Sequence, residues 1–196
     1  MPRPAVNHNA VCDEIVATAE TLLKETSGKR LVFSDVSDRM GVSQSYVYKF
    51  FKNKDALVAE LARRWFEKVE QAGEEISSSN LPWQQRLRSH ILTTLALKKN
   101  AYQDDPQLFA TYLNLASTHE ALVVQHTRTL ADQLRRVLDS GFSSKNSNTD
   151  KMLEILLDAT VQFRVPHAIL NAPNNAAPER ANQILDVIID YFEKEL

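Results

Sequence analysis

Apolar residues recur along most of this chain at intervals of three and four positions, which places them on one face of an α-helix. One such stripe runs through residues 11–23, a longer one through residues 57–76, and further stripes follow from Trp83 to Phe192. Short polar, glycine-containing or proline-containing stretches separate them. The pattern predicts an all-α protein with about nine helices.

Residues 33–57 show a shorter pattern of a helix, a tight turn and a second helix. Val36 lies on the apolar face of the first helix, and Gly41 follows that helix where a sharp exit needs a positive φ. Ser43 is a suitable N-cap for the second helix, which we expect to span residues 44–51. The segment is therefore predicted to be a helix-turn-helix.

The second of these helices has two different faces. At about 100° per residue, Val47, Phe50 and Phe51 fall on one side. The opposite side and its flanks carry small polar, aromatic hydroxyl and cationic side chains, namely Gln44, Ser45, Tyr46, Tyr48 and Lys49. This mixture suits a helix that contacts base edges and phosphates in the major groove of double-stranded DNA.

The charge distribution agrees with a nucleic-acid partner. Residues 28–54 contain six Lys or Arg and two Asp, six minus two or +4, whereas the whole chain has a formal net charge of −2 at pH 7. A basic cluster confined to one motif of a mildly acidic protein favours a local polyanion site. On charge alone, an ordinary solvated surface around a helical hairpin stays an open alternative.

The segment resembles the DNA-binding domain of the tetracycline-repressor (TetR) family of bacterial transcriptional regulators. The residues that match the family pattern cover roughly the first third of the chain. They are Ile15, Ala19, Leu22, Gly28, Asp35, Val36, Gly41, Val42, Ser43, Val47, Tyr48, Phe51, Asn53, Lys54, Asp55 and Leu57. Ser37 and Ser45 depart from the pattern, at positions where the family usually has Ala and Gly. The preferred DNA sequence therefore cannot be copied from a relative.

The resemblance implies a helix-turn-helix domain over residues 1–64 and a helical ligand-sensing and dimerisation domain over residues 65–196. In the family, a small molecule in the second domain shifts the long helix that begins near Lys54 and so releases a repressor from a palindromic operator. From the helix faces and the motif together, we expect Tyr48 and Lys54 to contact phosphates. The residues expected to face the bases are Gln44, Ser45, Tyr46 and Lys49.

Two predicted helices near the end of the sequence, residues 149–170 and 178–195, are apolar on more than one face and need cover on several sides. A helix-turn-helix that binds two half-sites requires a two-fold partner, so we expect these helices to form a homodimer interface that includes Leu156 and Ile188. Burial within a single chain is the alternative.

Aromatic and polar residues on the inward stripes of the later helices suggest a binding site for an unknown small-molecule effector. The candidates are Trp65, His90, Phe109, Tyr112, His126 and Phe163, with Arg164 as an anchor for an anion. Together they describe a largely apolar cavity with a few polar groups, which suits an aromatic or amphipathic molecule. Each of them alone is also compatible with a place in the core.

The composition argues against several other classes of protein. The chain has one cysteine and four glycines, so it contains neither an intrachain disulfide nor a glycine-rich phosphate loop. Its five histidines lack the spacing of a metal site. We therefore expect no enzyme, no cofactor and no metal. Because no apolar run is long enough for a membrane span and residues 1–9 do not resemble a signal peptide, we expect a cytoplasmic location.

Two other hypotheses stay open at this point. One is an architectural DNA-binding protein or activator with a closed core that binds no ligand. The other is a helical small-molecule carrier or enzyme in which the helix-turn-helix is incidental. Binding to DNA in the absence of a ligand separates the second hypothesis from the others.

Overall fold

The structure, a computed structural model, describes residues 7–142 and 149–194. These residues form eleven helices and no strand, which confirms the all-α prediction. None of the helices in these ranges combines the length and the apolar character that crossing a membrane requires. The helices are α1 (His8–Glu25), α2 (Phe33–Met40), α3 (Gln44–Tyr48), α4 (Lys54–Ser77), α5 (Trp83–Asp104), α6 (Pro106–Ser117), α7 (Glu120–Gly141), α8 (Thr149–Ala159), α9 (Val161–Arg164), α10 (Pro166–Asn171) and α11 (Pro178–Glu193).

The chain divides into two compact units, and the division falls inside α4, between Trp65 and Phe66. The first unit contains α1, α2, α3, the beginning of α4 and residues 105–119, and the second contains the remaining helices. The sequence analysis placed α6 in the second domain, whereas in the structure it belongs to the first unit. The reason is apolar packing, since Leu108 of α6 is buried in the core of the first unit.

The core of the first unit is built from the apolar stripes of its helices. The fully buried side chains Ile15 and Ala19 of α1 meet Val36 of α2, Val47 of α3 and Leu57 of α4. Burying each large aliphatic side chain contributes about 1.5–3 kcal/mol. This packing holds α3, which is too short to be stable by itself, in a fixed place.

The turn of the helix-turn-helix forms at the predicted glycine. Gly41 ends α2 with φ 65° and ψ 30°, a left-handed conformation that favours a residue without a Cβ atom. Ser43 precedes α3 as its N-cap residue, but its hydroxyl makes no capping hydrogen bond and lies 2.9 Å from the Ser45 hydroxyl. The regular helix ends at Tyr48, three residues earlier than predicted, and continues as hydrogen-bonded turns.

The second unit differs from the prediction in one region. The helix expected over residues 149–170 is three helices, which accounts for eleven helices instead of nine. Val165 has an extended conformation (φ −83°, ψ 117°) because Pro166 disfavours the helical conformation at the preceding residue. Thr160 separates α8 from α9, and its hydroxyl donates to the Leu156 carbonyl oxygen at 2.6 Å.

Candidate nucleic-acid interface and ligand-binding site

The exposed face of α3 carries the side chains predicted for it. Gln44, Ser45 and Lys49 are exposed, and half of the Tyr48 surface (50%) is accessible. Val47, on the opposite side of the helix, is completely buried. This face is accessible to a second molecule, and its contact with DNA stays a prediction.

Aromatic neighbours hold the two tyrosines of α3. The ring centroid of Tyr46 lies 5.2 Å from that of Phe50, which lies 5.0 Å from the ring of His8. The ring of Tyr48 lies 4.8 Å from that of Phe33. Such contacts restrict the movement of the rings, so each hydroxyl group is presented over a limited range of directions.

The basic residues near α3 differ in whether they form ion pairs. Arg39 donates to both carboxylate oxygens of Glu25, at 2.9 and 2.7 Å, and this hydrogen-bonded guanidinium lowers the pKa of Glu25. The Nε atom of Arg30 lies 2.9 Å from Oδ2 of Asp35, so these two residues also form an ion pair. The lysines that follow α3 are exposed, namely Lys49, Lys52 and Lys54. We therefore expect phosphate contacts from these lysines rather than from the two arginines.

Lys54 has an additional advantage because it is the first residue of α4. The first backbone N–H groups of a helix lack intrahelical acceptors, and the helix dipole places a partial positive charge there. The Asn53 side chain accepts from the Ala56 N–H at 2.8 Å, as an N-cap residue does. The Lys54 ammonium group and this helix end together favour a bound anion such as a phosphate group.

The second unit contains a line of buried polar side chains on α5. His90, Thr94 and Lys98 follow one another at intervals of four residues and are only 1%, 2% and 3% exposed. They lie beside the apolar stripe that includes Ile91 and Leu95. Polar groups in such an environment are costly unless they find partners.

His90 has one partner. Its Nε2 atom lies 2.8 Å from Oε1 of Gln133, whose Nε2 donates to the Glu70 carbonyl oxygen at 2.9 Å. Since an amide oxygen only accepts, the hydrogen atom is on Nε2 of His90, and Nδ1 has no partner among the described residues. Burial lowers the pKa of His90 to about 4, so the ring is neutral at pH 7. Gly73 permits this arrangement, because a Cβ atom there would lie 2.3 Å from Oε1 of Gln133.

Lys98 has no hydrogen-bond partner for its Nζ atom among the residues that the structure describes. Burial, together with the smaller effect of the positive charge of Arg164, lowers the pKa of Lys98 to about 7. Arg164 is partly buried, and burial lowers its pKa too. Its guanidinium donates to the Thr160 hydroxyl at 3.0 Å and to the Leu157 carbonyl oxygen at 2.6 Å, which are both neutral acceptors.

His126 is also buried in the second unit. Its Nδ1 atom lies 2.7 Å from Oε1 of Glu70, and its ring stacks on that of Phe66 with a centroid distance of 4.3 Å. Burial lowers the pKa of His126, and the hydrogen bond with Glu70 acts in the opposite direction. The Glu70 carboxylate is therefore already engaged by a histidine.

The seven residues predicted to bind a ligand are divided between the two units. His90, His126, Phe163 and Arg164 belong to the second unit, whereas the remaining three, Trp65, Phe109 and Tyr112, belong to the first. Tyr112 packs against the core of the first unit, where burial raises the pKa of its hydroxyl.

Sequence analysis missed several buried polar residues of the second unit, among them Thr94, Lys98 and Gln133. The signal that points to Thr94 and Lys98 is their position four and eight residues after His90, beside an apolar stripe. Gln133 becomes noticeable only when α5 and α7 are brought together.

The two residues proposed for the dimer interface are not available to a partner. Leu156 is completely buried and Ile188 is 6% exposed in the core of the second unit of a single chain. The alternative of burial within the chain is therefore correct for both, because each points toward its own unit's core. The large apolar side chains of α11 that are exposed are Val187 (71%) and Tyr191 (44%).

Within the described ranges, no group of three His, Cys, Asp or Glu side chains is arranged to hold a metal ion. Cys12 is partly buried, and burial is the main reason that the pKa of its thiol is raised. A raised thiol pKa disfavours the reactive thiolate.

Two family models match the sequence. Residues 15–61 match the model described as bacterial regulatory proteins of the tetR family. Residues 84–185, more than half of the chain, match the model described as the tetracyclin repressor-like C-terminal domain. No curated protein sequence matches.

Several solved structures have a similar fold. A transcriptional regulator from Rhodococcus sp. Rha1 is 19% identical, with a TM-score of 0.61 over 92% of this chain and 94% of its own. The SmeT–triclosan complex is 18% identical, with a TM-score of 0.65 over 93% and 91%. The regulator FadR from Bacillus subtilis in complex with stearoyl-CoA is 15% identical, with a TM-score of 0.62 over 90% and 96%. At these identities the likeness shows the fold.

Proposed function

The chain belongs to the tetracycline-repressor family of bacterial transcriptional regulators, and on this premise we propose that it is a repressor that a small-molecule effector releases from a palindromic DNA operator. The observation that carries the proposal is the exposed polar face of α3. Two exposed lysines follow it, Lys52 and Lys54, and Lys54 is the first residue of α4. A face of this composition has the donors and acceptors that base edges and phosphates require.

In this proposal α3 enters the major groove. Four side chains face the bases, namely Gln44, Ser45, Tyr46 and Lys49. Tyr48 and Lys54 contact phosphates. The exposure of this face and the position of Lys54 at a helix N-terminus support these roles.

A palindromic operator has two half-sites, so the proposal includes a homodimer. We infer that the dimer forms through the second unit and that exposed apolar side chains of α11 contribute to it. Val187 and Tyr191 support this assignment, since large apolar side chains at an exposed helix surface are typical of contacts between subunits.

The effector site belongs to the second unit in this proposal. Two structures with a similar fold are complexes, one with triclosan and one with stearoyl-CoA. Release requires that the effector bind the conformation that does not bind DNA more tightly, by about 1.4 kcal/mol for each tenfold loss of operator affinity.

Selection of bound fragments from genomic DNA of the source organism tests the proposal. We expect the selected fragments to share an inverted repeat and to bind the purified protein without any added ligand. Failure to bind DNA would favour the carrier or enzyme hypothesis. Binding without sequence preference, unaffected by every tested metabolite, would favour the architectural protein.

A further inference from the structure

Lys98 is an unusual residue in the second unit because it is a buried cation without a partner. Its side chain is 3% exposed, and its Nζ atom makes no hydrogen bond with any described residue. Lysine is almost never fully buried unless it is paired, because removing an ammonium group from water is costly. A position of this kind suggests a role beyond packing.

The surrounding charges make the position more unusual. The charged group that acts on Lys98 is Arg164, another cation. Lys98 belongs to α5 and Arg164 to α9, and these two helices are in contact. Two of the carboxylates of α4 in this unit are engaged by other groups, Glu70 by His126 and Glu74 by Arg136. The fold therefore brings two positive groups together. The exposed carboxylate of Asp158 acts on Arg164, but none of the described carboxylates acts on Lys98.

The buried residues near this pair in the sequence include large apolar side chains as well as the neutral polar residues His90, Thr94 and Thr160. Ile91, Leu95 and Phe163 are completely buried in the core of the same unit. A molecule that enters here meets apolar surface on its body and positive charge at one end. This combination favours a ligand with an apolar body and a single anionic group.

We propose that Lys98 and Arg164 bind the carboxylate of an apolar monocarboxylate, and that this molecule is the effector of the regulator. The inference rests on the proposed function, of which it names the effector class. The carboxylate would accept hydrogen bonds from the Lys98 ammonium and from the guanidinium of Arg164. Because folding has already removed Lys98 from water, an arriving anion gains a charged partner without a further cost of desolvating the lysine.

Calorimetric titration with matched carboxylates and alcohols tests the proposal. The carboxylate probes are decanoate and 1-naphthoate, and the uncharged controls are 1-decanol and 1-naphthalenemethanol. We expect wild-type protein to bind at least one carboxylate more tightly than the alcohol of the same shape. Lys98→Met should weaken carboxylate binding by about tenfold or more and leave alcohol binding unchanged or stronger.

Lys99→Met is the matched control, because Lys99 is the next residue of α5 but is partly exposed. This variant should bind both probe types like the wild type. The proposal is overturned if wild type binds each alcohol as tightly as its carboxylate, if Lys98→Met keeps the preference for carboxylates, or if neither carboxylate binds. Circular dichroism establishes that each variant is folded.

A mobility-shift assay on the selected DNA separates failure of this inference from failure of the proposed function. Wild type and Lys98→Met should both bind that DNA when no probe is present. If wild type does not bind DNA, the proposed function fails, whatever the titration gives. If DNA binding is intact and the carboxylate preference is absent, the inference alone fails.

Discussion

Lys54 and Gln44 are both exposed, yet they are expected to contribute to DNA binding in different ways. We expect Lys54, at the N-terminus of α4, to contact a phosphate, which is the same in every DNA sequence. Lys54→Ala should therefore weaken binding about equally on all DNA and reduce the slope of log K against log salt by roughly one. Fluorescence anisotropy at several salt concentrations measures this slope. Lys194→Ala, which removes an exposed lysine of the second unit, is the control.

Gln44 is the first residue of α3, where a side chain of a recognition helix is well placed to contact a base edge. Gln44→Ala should change the preferred base at one position of each half-site, with a loss of about 1–3 kcal/mol for the original sequence. Repeating the DNA selection with the variant tests this. An unchanged preferred sequence would remove Gln44 from the set of residues that face bases.

Lys98 should also make the stability of the free protein depend on pH. Its pKa is lowered to about 7 in the folded protein from 10.5. Between these values the unfolded chain binds the proton and the folded chain does not, so the contribution of Lys98 to stability decreases as pH falls from 10.5 to 7. Lys98→Met should therefore raise the free energy of unfolding at pH 6 by something on the order of a few kcal/mol, which raises Tm. At pH 9 the increase in both should be smaller. Thermal unfolding that gave a lower Tm for Lys98→Met at pH 6 would contradict this expectation.

At the scale of helices, α11 has one side that is buried in the core of its unit and another that is exposed and available to a partner. Val187→Asp changes an exposed position, so the chain should stay folded and, in sedimentation equilibrium, shift toward monomer. Operator affinity should then fall, because two half-sites are no longer bound by one linked molecule. Val124→Asp, at a comparably exposed valine of α7 (56%), is the matched control.

Ile188→Asp differs because it places an uncompensated charge in the core of the chain. We expect a loss of several kcal/mol of folding free energy, visible as lost helical signal in circular dichroism. For Val187→Asp, in contrast, a chain that stays dimeric at the concentration at which wild type is dimeric would place the interface on other helices.

The sequence predicted those helix features that depend on neighbouring residues. The turn at Gly41 and the long helix that begins at Lys54 both follow from local rules of helix termini. The break before Pro166 also has a local cause, but the apolar stripe on both sides concealed it. The burial of Leu156 and Ile188 had no local signal, since an apolar position looks the same whether it faces its own core or a partner.

At the scale of the whole molecule, the effector class and the regulatory function should be measurable together. The carboxylate that binds most tightly in calorimetry should release wild-type protein from the selected DNA and should not release Lys98→Met at the same concentration. A carboxylate that stabilises the protein and leaves its operator affinity unchanged would establish a binding site without a regulatory switch. Anisotropy of labelled DNA, titrated with decanoate or 1-naphthoate, measures the release.

The candidate effector site illustrates what a sequence leaves undetermined at this scale. The sequence analysis predicts Arg164 as an anion anchor, and our inference keeps that role. It does not identify Lys98. Lys98 follows His90 by eight residues, and its burial depends on how α5 packs against other helices of its unit. A lysine in a polar stretch of a sequence is usually exposed, so the spacing from His90 is a weak signal and the packed helices are needed to show that Lys98 is buried.

The close approach at Gly73 restricts how α4 can move within the second unit. The missing side chain leaves a gap, occupied by the His90–Gln133 pair, in which a Cβ atom would lie 2.3 Å from Oε1 of Gln133. Every neighbouring residue of α4, including Ala72 and Glu74, carries a Cβ atom. Shifting α4 by one residue in register, a translation of about 1.5 Å with a rotation of about 100°, would bring such an atom into the gap. The part of α4 in this unit is therefore held in one register against the His90–Gln133 pair.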